Sequence, residues 1–181
     1  MNIHEDVEYV LLTSEQIAKR VKELGKLLDE KYAGRAPLAV CILRGSSVFF
    51  ADLIRETTLP LTTDFMRVSS YGSGTKSSGE IRVLADLSED IKDREILLVE
   101  DIIDSGNTLF KLKKLLLERG AKEVFILTLL DKPARREADI SADLVGFTIA
   151  DEFVIGYGLD YAEKYRNLPY VGVLKRSVYE K

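Results

Sequence analysis

Glu100, Asp101 and Asp104 lie close together, and Ser105-Gly106-Asn107-Thr108 follows at once. The second half of that segment suits a phosphate. Gly106 lets backbone approach a ligand closely. Free N–H groups and the dipole of a helix starting there favour an anion, and two hydroxyls add donors. The three acids would repel a phosphate unless they serve sugar hydroxyls or a divalent cation. Phosphate, hydroxyls and a hard cation together describe a ribose phosphate. No Gly-Lys-Ser/Thr follows at the Walker A spacing, which argues against an ordinary nucleoside-triphosphate hydrolase. The plain alternative is a solvated acidic loop in which Asp104 caps the helix.

The elements around the segment place it where a site belongs. Residues 95–99 read as an apolar strand ending in the two carboxylates, and residues 106–119 as a helix stopped by Gly120. Ile17, Val21, Leu24 and Leu28 recur at helical spacing within a helix over 14–32, with Ser14 as its N-cap. Strands are predicted over 38–43, 61–68, 124–130, 144–149 and 170–174, with a helix over 48–56. Near-continuous apolar strands alternating with helices make a central, mostly parallel α/β sheet flanked by helices, and ligands of such sheets bind at the carboxyl ends of the strands. Residues 69–80, rich in Gly and Ser, read as a mobile active-site lid.

Val99-Glu100-Asp101-Ile102-Ile103-Asp104-Ser105-Gly106-Asn107-Thr108 resembles the phosphoribosyl pyrophosphate (PRPP) signature of type I phosphoribosyltransferases, the hypoxanthine-guanine branch in particular. Leu43-Arg44-Gly45-Ser46, Ser70-Tyr71-Gly72 and the run from Asp151 to Tyr161 are similar to the same branch, in the same order. The likeness extends from about residue 7 to residue 174. It implies one phosphoribosyltransferase domain over 1–181, with a small hood built from the N-terminal stretch and the segment after about 150.

What the resemblance implies for single residues follows from those motifs. Arg44 and Gly45 would bind pyrophosphate, with a cis peptide at Leu43-Arg44, and Arg166 would grip it from the other side. Glu100 and Asp101 would meet the ribose hydroxyls, directly or through Mg²⁺, and Ser105, Gly106, Asn107 and Thr108 the 5-phosphate. Asp104 would take the N7 proton of the purine as N9 attacks the sugar. Lys132 would hold the purine O6, Phe153 would stack on the base and the Val154 backbone would read its edge. Asp160 would ligate Mg²⁺ carried by pyrophosphate and lies near the purine 2-position. Ser70 and Tyr71 would close over the reacting centre and exclude water. The substrates implied are PRPP and a 6-oxopurine base, the cofactor Mg²⁺, and the assembly a homodimer or homotetramer.

Composition narrows the classes. Net charge is −4, against the basic excess usual in a nucleic-acid binder. No apolar run approaches a membrane span, and the acidic N-terminus lacks a signal-peptide core, so a cytoplasmic protein is expected. Cys41, the single cysteine, sits in an apolar run and reads as a buried small hydrophobe. A lone histidine, His4, leaves no Ser-His-Asp triad or multi-histidine zinc site. Two other readings stay open. A regulator that keeps the fold would dispense with Asp104, Lys132 or the Arg44 loop, and this chain has all of them. A transferase for xanthine, pyrimidine or adenine would differ at Lys132 or Phe153-Val154.

Overall fold

The computed structural model describes residues 2–70 and 81–180. The central sheet has six strands: β2 (Leu38–Leu43), β3 (Thr62–Ser70), β4 (Ile81–Ala85), β5 (Glu95–Ile103), β6 (Glu123–Asp131) and β7 (Leu144–Thr148), in the order β4-β3-β2-β5-β6-β7. Only β4 runs antiparallel to its neighbour, so the parallel core expected from the apolar strands is present. Three helices flank the sheet: α1 (Ser14–Lys31), α2 (Ser47–Leu53) and α3 (Asn107–Glu118). β1 (Val7–Leu12), β8 (Val154–Ile155) and β9 (Val171–Leu174) form a separate antiparallel sheet, and a short α4 (Arg176–Tyr179) ends the chain.

Both faces of the central strands are buried, which is why they are apolar without alternation. Ala39, Cys41, Leu97 and Val99 face one core with Ile17, Val21, Leu24 and Leu28 of α1 and Phe49 and Phe50 of α2. Leu38, Val40, Ile42, Ile96 and Leu98 face the other with Leu109, Leu112 and Leu116 of α3. Each Val, Leu, Ile or Phe among them contributes about 1.5–3 kcal/mol on burial. Val154, Val171 and Val173 of the smaller sheet join the first core, which fixes that sheet to the larger one.

The chain order reverses between β2 and β5: α2 leads outward to β3 on one side, α3 to β6 on the other. The loops after β2 and β5 therefore diverge and leave a crevice at the strand ends, the switch point where α/β sheets bind ligands. Arg44-Gly45 lies in the first of those loops, and residues 104–106, leading into α3, are the second.

Several boundaries differ from the sequence reading. α1 is capped by Thr13, not Ser14, because Thr13 and Gln16 form a reciprocal capping box. α2 ends at Leu53 rather than near 56. β5 continues through Glu100 and Asp101 to Ile103, since pairing with β6 persists as far as Ile103 opposite Asp131. β3 likewise runs on to Ser70, paired with β4, so the first two residues of the expected lid continue the strand. Tyr71 and the rest of that lid lie outside the described residues. No strand is read from the sequence at β1, β4 or β8.

Candidate active site

The crevice holds two cavities of about 310 and 500 Å³ that share Asp101, Ile102, Asp104 and Asp160. The first is lined by Arg44, Gly45, Glu100, Ser105, Gly106, Thr108 and Arg166. The second is lined by Lys132, Phe153 and Val154, with Arg135, Asp151, Arg176 and Tyr179. Of the residues singled out from the sequence, Asn107 borders neither cavity, Tyr71 lies outside the described residues and nothing is described of the Ser70 side chain. The remainder converge on this one cleft.

Gly106 is the N-cap of α3, with φ of 80°, the left-handed conformation that favours glycine. Gly106 itself brings no capping side chain; the Asn107 N–H donates to Ser105 Oγ at 3.4 Å, and this helix start with its macrodipole borders the cavity at Gly106 and Thr108. The cap by Asp104 that the plain alternative requires is not made. The loop is held from outside: the Ser105 carbonyl accepts from Glu137 and Ala138 N–H at 2.9 and 3.1 Å, and Asn107 Nδ2 donates to Glu137 at 2.6 Å. Asn107 thus braces the loop by its side chain.

Opposite, the Leu43-Arg44 peptide is cis. A Cβ on Gly45 would fall inside the Asp101 carboxylate, so the absence of a side chain at 45 makes room for that acid. Asp101 also accepts from the Ile102 N–H at 2.8 Å. Removal from water pushes the Glu100 carboxyl well up, and the Asp101 charge beside it adds to the shift. Burial raises Asp101 too, with hydrogen bonding from Glu100 pulling the other way. Two adjacent acids that resist ionisation are a receptive seat for a cation.

Arg166 Nη2 pairs with Asp160 at 2.7 Å, and its Nη1 donates to the Gly158 carbonyl at 2.8 Å. Arg44 and Arg166 both reach Glu163 Oε2, at 2.5 and 3.3 Å. Two guanidinium groups therefore already converge on a carboxylate at the rim of the first cavity. Glu163 was not foreseen, since in sequence it reads as one more surface acid.

Asp104 Oδ1 is buried and has no hydrogen-bond partner among the described residues. The nearest cation is Arg135, whose Nε stands 3.9 Å away and is itself committed to Asp151 at 2.7 Å. Lys132 is only 6% exposed; burial lowers its pKa, and the charges of Asp104 and Asp151 partly restore it. Its ammonium makes no ion pair among the described residues. An acceptor and a donor thus stand unspent beside an apolar wall. Phe153 is 38% exposed, while Val154 is buried. Arg135 was missed because, in Lys132-Pro133-Ala134-Arg135-Arg136, adjacent basic residues read as a solvated run.

Residues 10–162 match the phosphoribosyl transferase domain family. The chain belongs to this family. It is 55% identical over 175 residues to the hypoxanthine-guanine phosphoribosyltransferase of Bacillus subtilis, covering 97% of each chain. It is 55% identical over 180 residues to that of Lactococcus lactis, covering 99% of this chain and 98% of the relative. A crystal structure of a hypoxanthine phosphoribosyltransferase from Staphylococcus aureus superposes with a TM-score of 0.95 at 49% identity, covering 99% of this chain and 97% of that one. The fold is the type I phosphoribosyltransferase fold. The phosphoribosyltransferase cleft contains donors suited to a divalent metal, all of them hard carboxylate oxygens. Among the described residues no group of three or more acids, cysteines or histidines is placed to hold a metal ion by itself. Nor, among those residues, is any helix long and apolar enough to cross a membrane.

Proposed function

We propose that the protein transfers the 5-phosphoribosyl group of PRPP to N9 of hypoxanthine, and of guanine, releasing pyrophosphate and the nucleoside 5-monophosphate. Purine salvage is the reaction class. The observation that carries this reading is the meeting of the two cavities at Asp104, a half-exposed acid whose Oδ1 has no hydrogen-bond partner among the described residues. One cavity offers an anion-binding helix start and two guanidinium groups, the other a flat apolar wall with an ammonium. A sugar phosphate and a planar base bound in them would meet at that carboxylate.

The roles follow from the chemistry of each wall. The α3 N-terminus with Ser105 and Thr108 binds the 5-phosphate. Arg44, the Gly45 backbone and Arg166 bind pyrophosphate, displacing Glu163. Lys132 donates to O6, Phe153 supports the base plane and Val154 reads its edge. As N9 bonds to C1 of the ribose, the C1–oxygen bond breaks, pyrophosphate departs with the electron pair and the N7 proton passes to Asp104. Glu100 and Asp101 on the ribose side, and Asp160 on the pyrophosphate side, would each hold Mg²⁺ carried by the substrate, an ion that takes one or two carboxylates and completes its shell with substrate oxygens and water. Bound there, the ion would offset phosphate charge and stabilise the leaving group. Exclusion of water by Ser70 and Tyr71 remains part of the same proposal.

Steady-state rates with PRPP and hypoxanthine, guanine, xanthine, adenine or uracil, each in Mg²⁺ and in chelator, test the reading. Turnover of hypoxanthine and guanine that vanishes in chelator is expected. Preference for adenine or uracil, or full turnover without a divalent ion, would overturn it.

A further inference from the structure

We propose that Tyr179, in the short C-terminal helix, is a positioning residue for the purine. The inference rests on the base cavity described above. Arg176, Tyr179 and Glu180 line that cavity together with Ile102, Lys132, Phe153 and Val154. The Tyr179 ring lies nearly parallel to Phe153, with centroids 4.8 Å apart and planes at 22°. Tyr161 meets both rings edge-on, at 5.6 Å from Phe153 and 6.5 Å from Tyr179. The cavity of about 500 Å³ persists with this stack in place. Tyr179 therefore covers one face of Phe153, and a base stacked on Phe153 would take the other. Phe153 and Tyr179 also line the neighbouring cavity beside Tyr9 and Glu152, so the pair forms a partition between two openings.

The segment carrying Tyr179 is tied down next to its target. The Leu174 N–H donates to the Phe153 carbonyl at 2.8 Å, which sets the start of the tail against the backbone that carries the ring. Lys175 N–H donates to Asp6 O at 2.9 Å and Lys175 Nζ to Glu5 O at 2.7 Å. Val178 and Tyr179 pack with Tyr161 against Ile155, Tyr165, Leu168 and Leu174. Tyr179 is thus held by packing and acts through its ring plane. A half-exposed Phe153 alone would lose rotamer freedom each time a base stacked on it. A second ring behind it makes that loss in advance, which is how preorganisation raises affinity. Because Tyr161 follows Asp160, the same cluster joins the base wall to one of the acids shared by both cavities.

The test compares Tyr179→Leu, which keeps apolar packing but removes the plane, with Tyr179→Phe, which keeps the plane. KM for hypoxanthine and guanine should rise about 3- to 10-fold in Tyr179→Leu, the scale of an aromatic pair, with kcat and KM for PRPP unchanged. Tyr179→Phe should restore wild-type KM. An unchanged base KM in Tyr179→Leu, with or without a lower Tm, would reduce Tyr179 to a packing residue and overturn the proposal. A lower base KM would also overturn it, by making the ring an occupant of the base's own seat. Equal rises in both substrates' KM would do so as well. Wild-type protein that uses no 6-oxopurine would instead refute the function on which this rests.

Discussion

The Asp101 carboxylate occupies the space that a side chain on Gly45 would need. The loop after β2 and the end of β5 are thereby locked together through an acid and a missing methyl group. Gly45→Ala must push Asp101, or its own loop, aside. Misplacement on the scale of an ångström costs about 100-fold in a reaction that depends on alignment. We expect kcat/KM for PRPP to fall by about that factor, while the sheet, whose core lies below, keeps its melting temperature. Activity and thermal melting of Gly45→Ala measured together check this; near-normal activity would mean that the loop shifts freely.

Lys132 provides a second prediction. Burial lowers its pKa, so the unfolded chain holds that proton more tightly than the folded one. The resulting cost is full at neutral pH and fades only as pH climbs toward the ordinary lysine range. Lys132→Met keeps the apolar stem and removes the cost, so Tm should hold or rise. KM for hypoxanthine should increase about 10- to 100-fold, since a hydrogen bond from a charged donor is lost. A drop in Tm with base KM intact would make Lys132 structural.

Glu100 sits beside Asp101 with its carboxyl pushed well up by burial and by that neighbour. In chelator Glu100→Gln should raise Tm by about 2–4 °C, the equivalent of about 1 kcal/mol for a chain of this size, because one of two adjacent buried acids is gone. The same change should weaken the divalent-ion dependence of turnover. Thermal melts with and without chelator, beside an Mg²⁺ titration of the rate, decide it. A destabilised Glu100→Gln with an unaltered Mg²⁺ titration would show that the acid serves the fold.

These residues also mark how far the sequence was legible. Strands such as β2 were readable because burial on both faces demands an unbroken apolar run. The α3 phosphate loop was readable because a glycine and hydroxyls at a helix start have few other uses. β1 was not, since Glu8 and Tyr9 break its apolar pattern and its pairing partner, β9, lies at the other end of the chain. Glu163, Arg135 and Tyr179 carry no local signal. Each matters through a partner distant in sequence or through a backbone turn that no composition announces. The same holds for Gly45, whose role is defined by Asp101.

Asp104 gives the most demanding prediction. It caps no helix, since Gly106 is the N-cap and no side-chain cap bond is made. Its Oδ1 is buried without a hydrogen-bond partner among the described residues, and Arg135 stands 3.9 Å off, held by Asp151. Asp104→Asn therefore removes no bond that the fold uses, and Tm should hold. PRPP affinity should change little, because the contacts at the α3 N-terminus survive. An amide cannot accept the N7 proton, so kcat should fall about 10²–10⁴-fold, the usual range for general acid–base catalysis. A structural role predicts the reverse, a lower Tm with normal turnover per folded molecule. Arg135→Gln separates the acid's own chemistry from its surroundings: with the nearby cation gone but the carboxylate kept, most of the kcat lost in Asp104→Asn should be retained. A stable Asp104→Asn protein with wild-type kcat would take Asp104 off the catalytic list and pass the proton to water or to another side chain of the cleft.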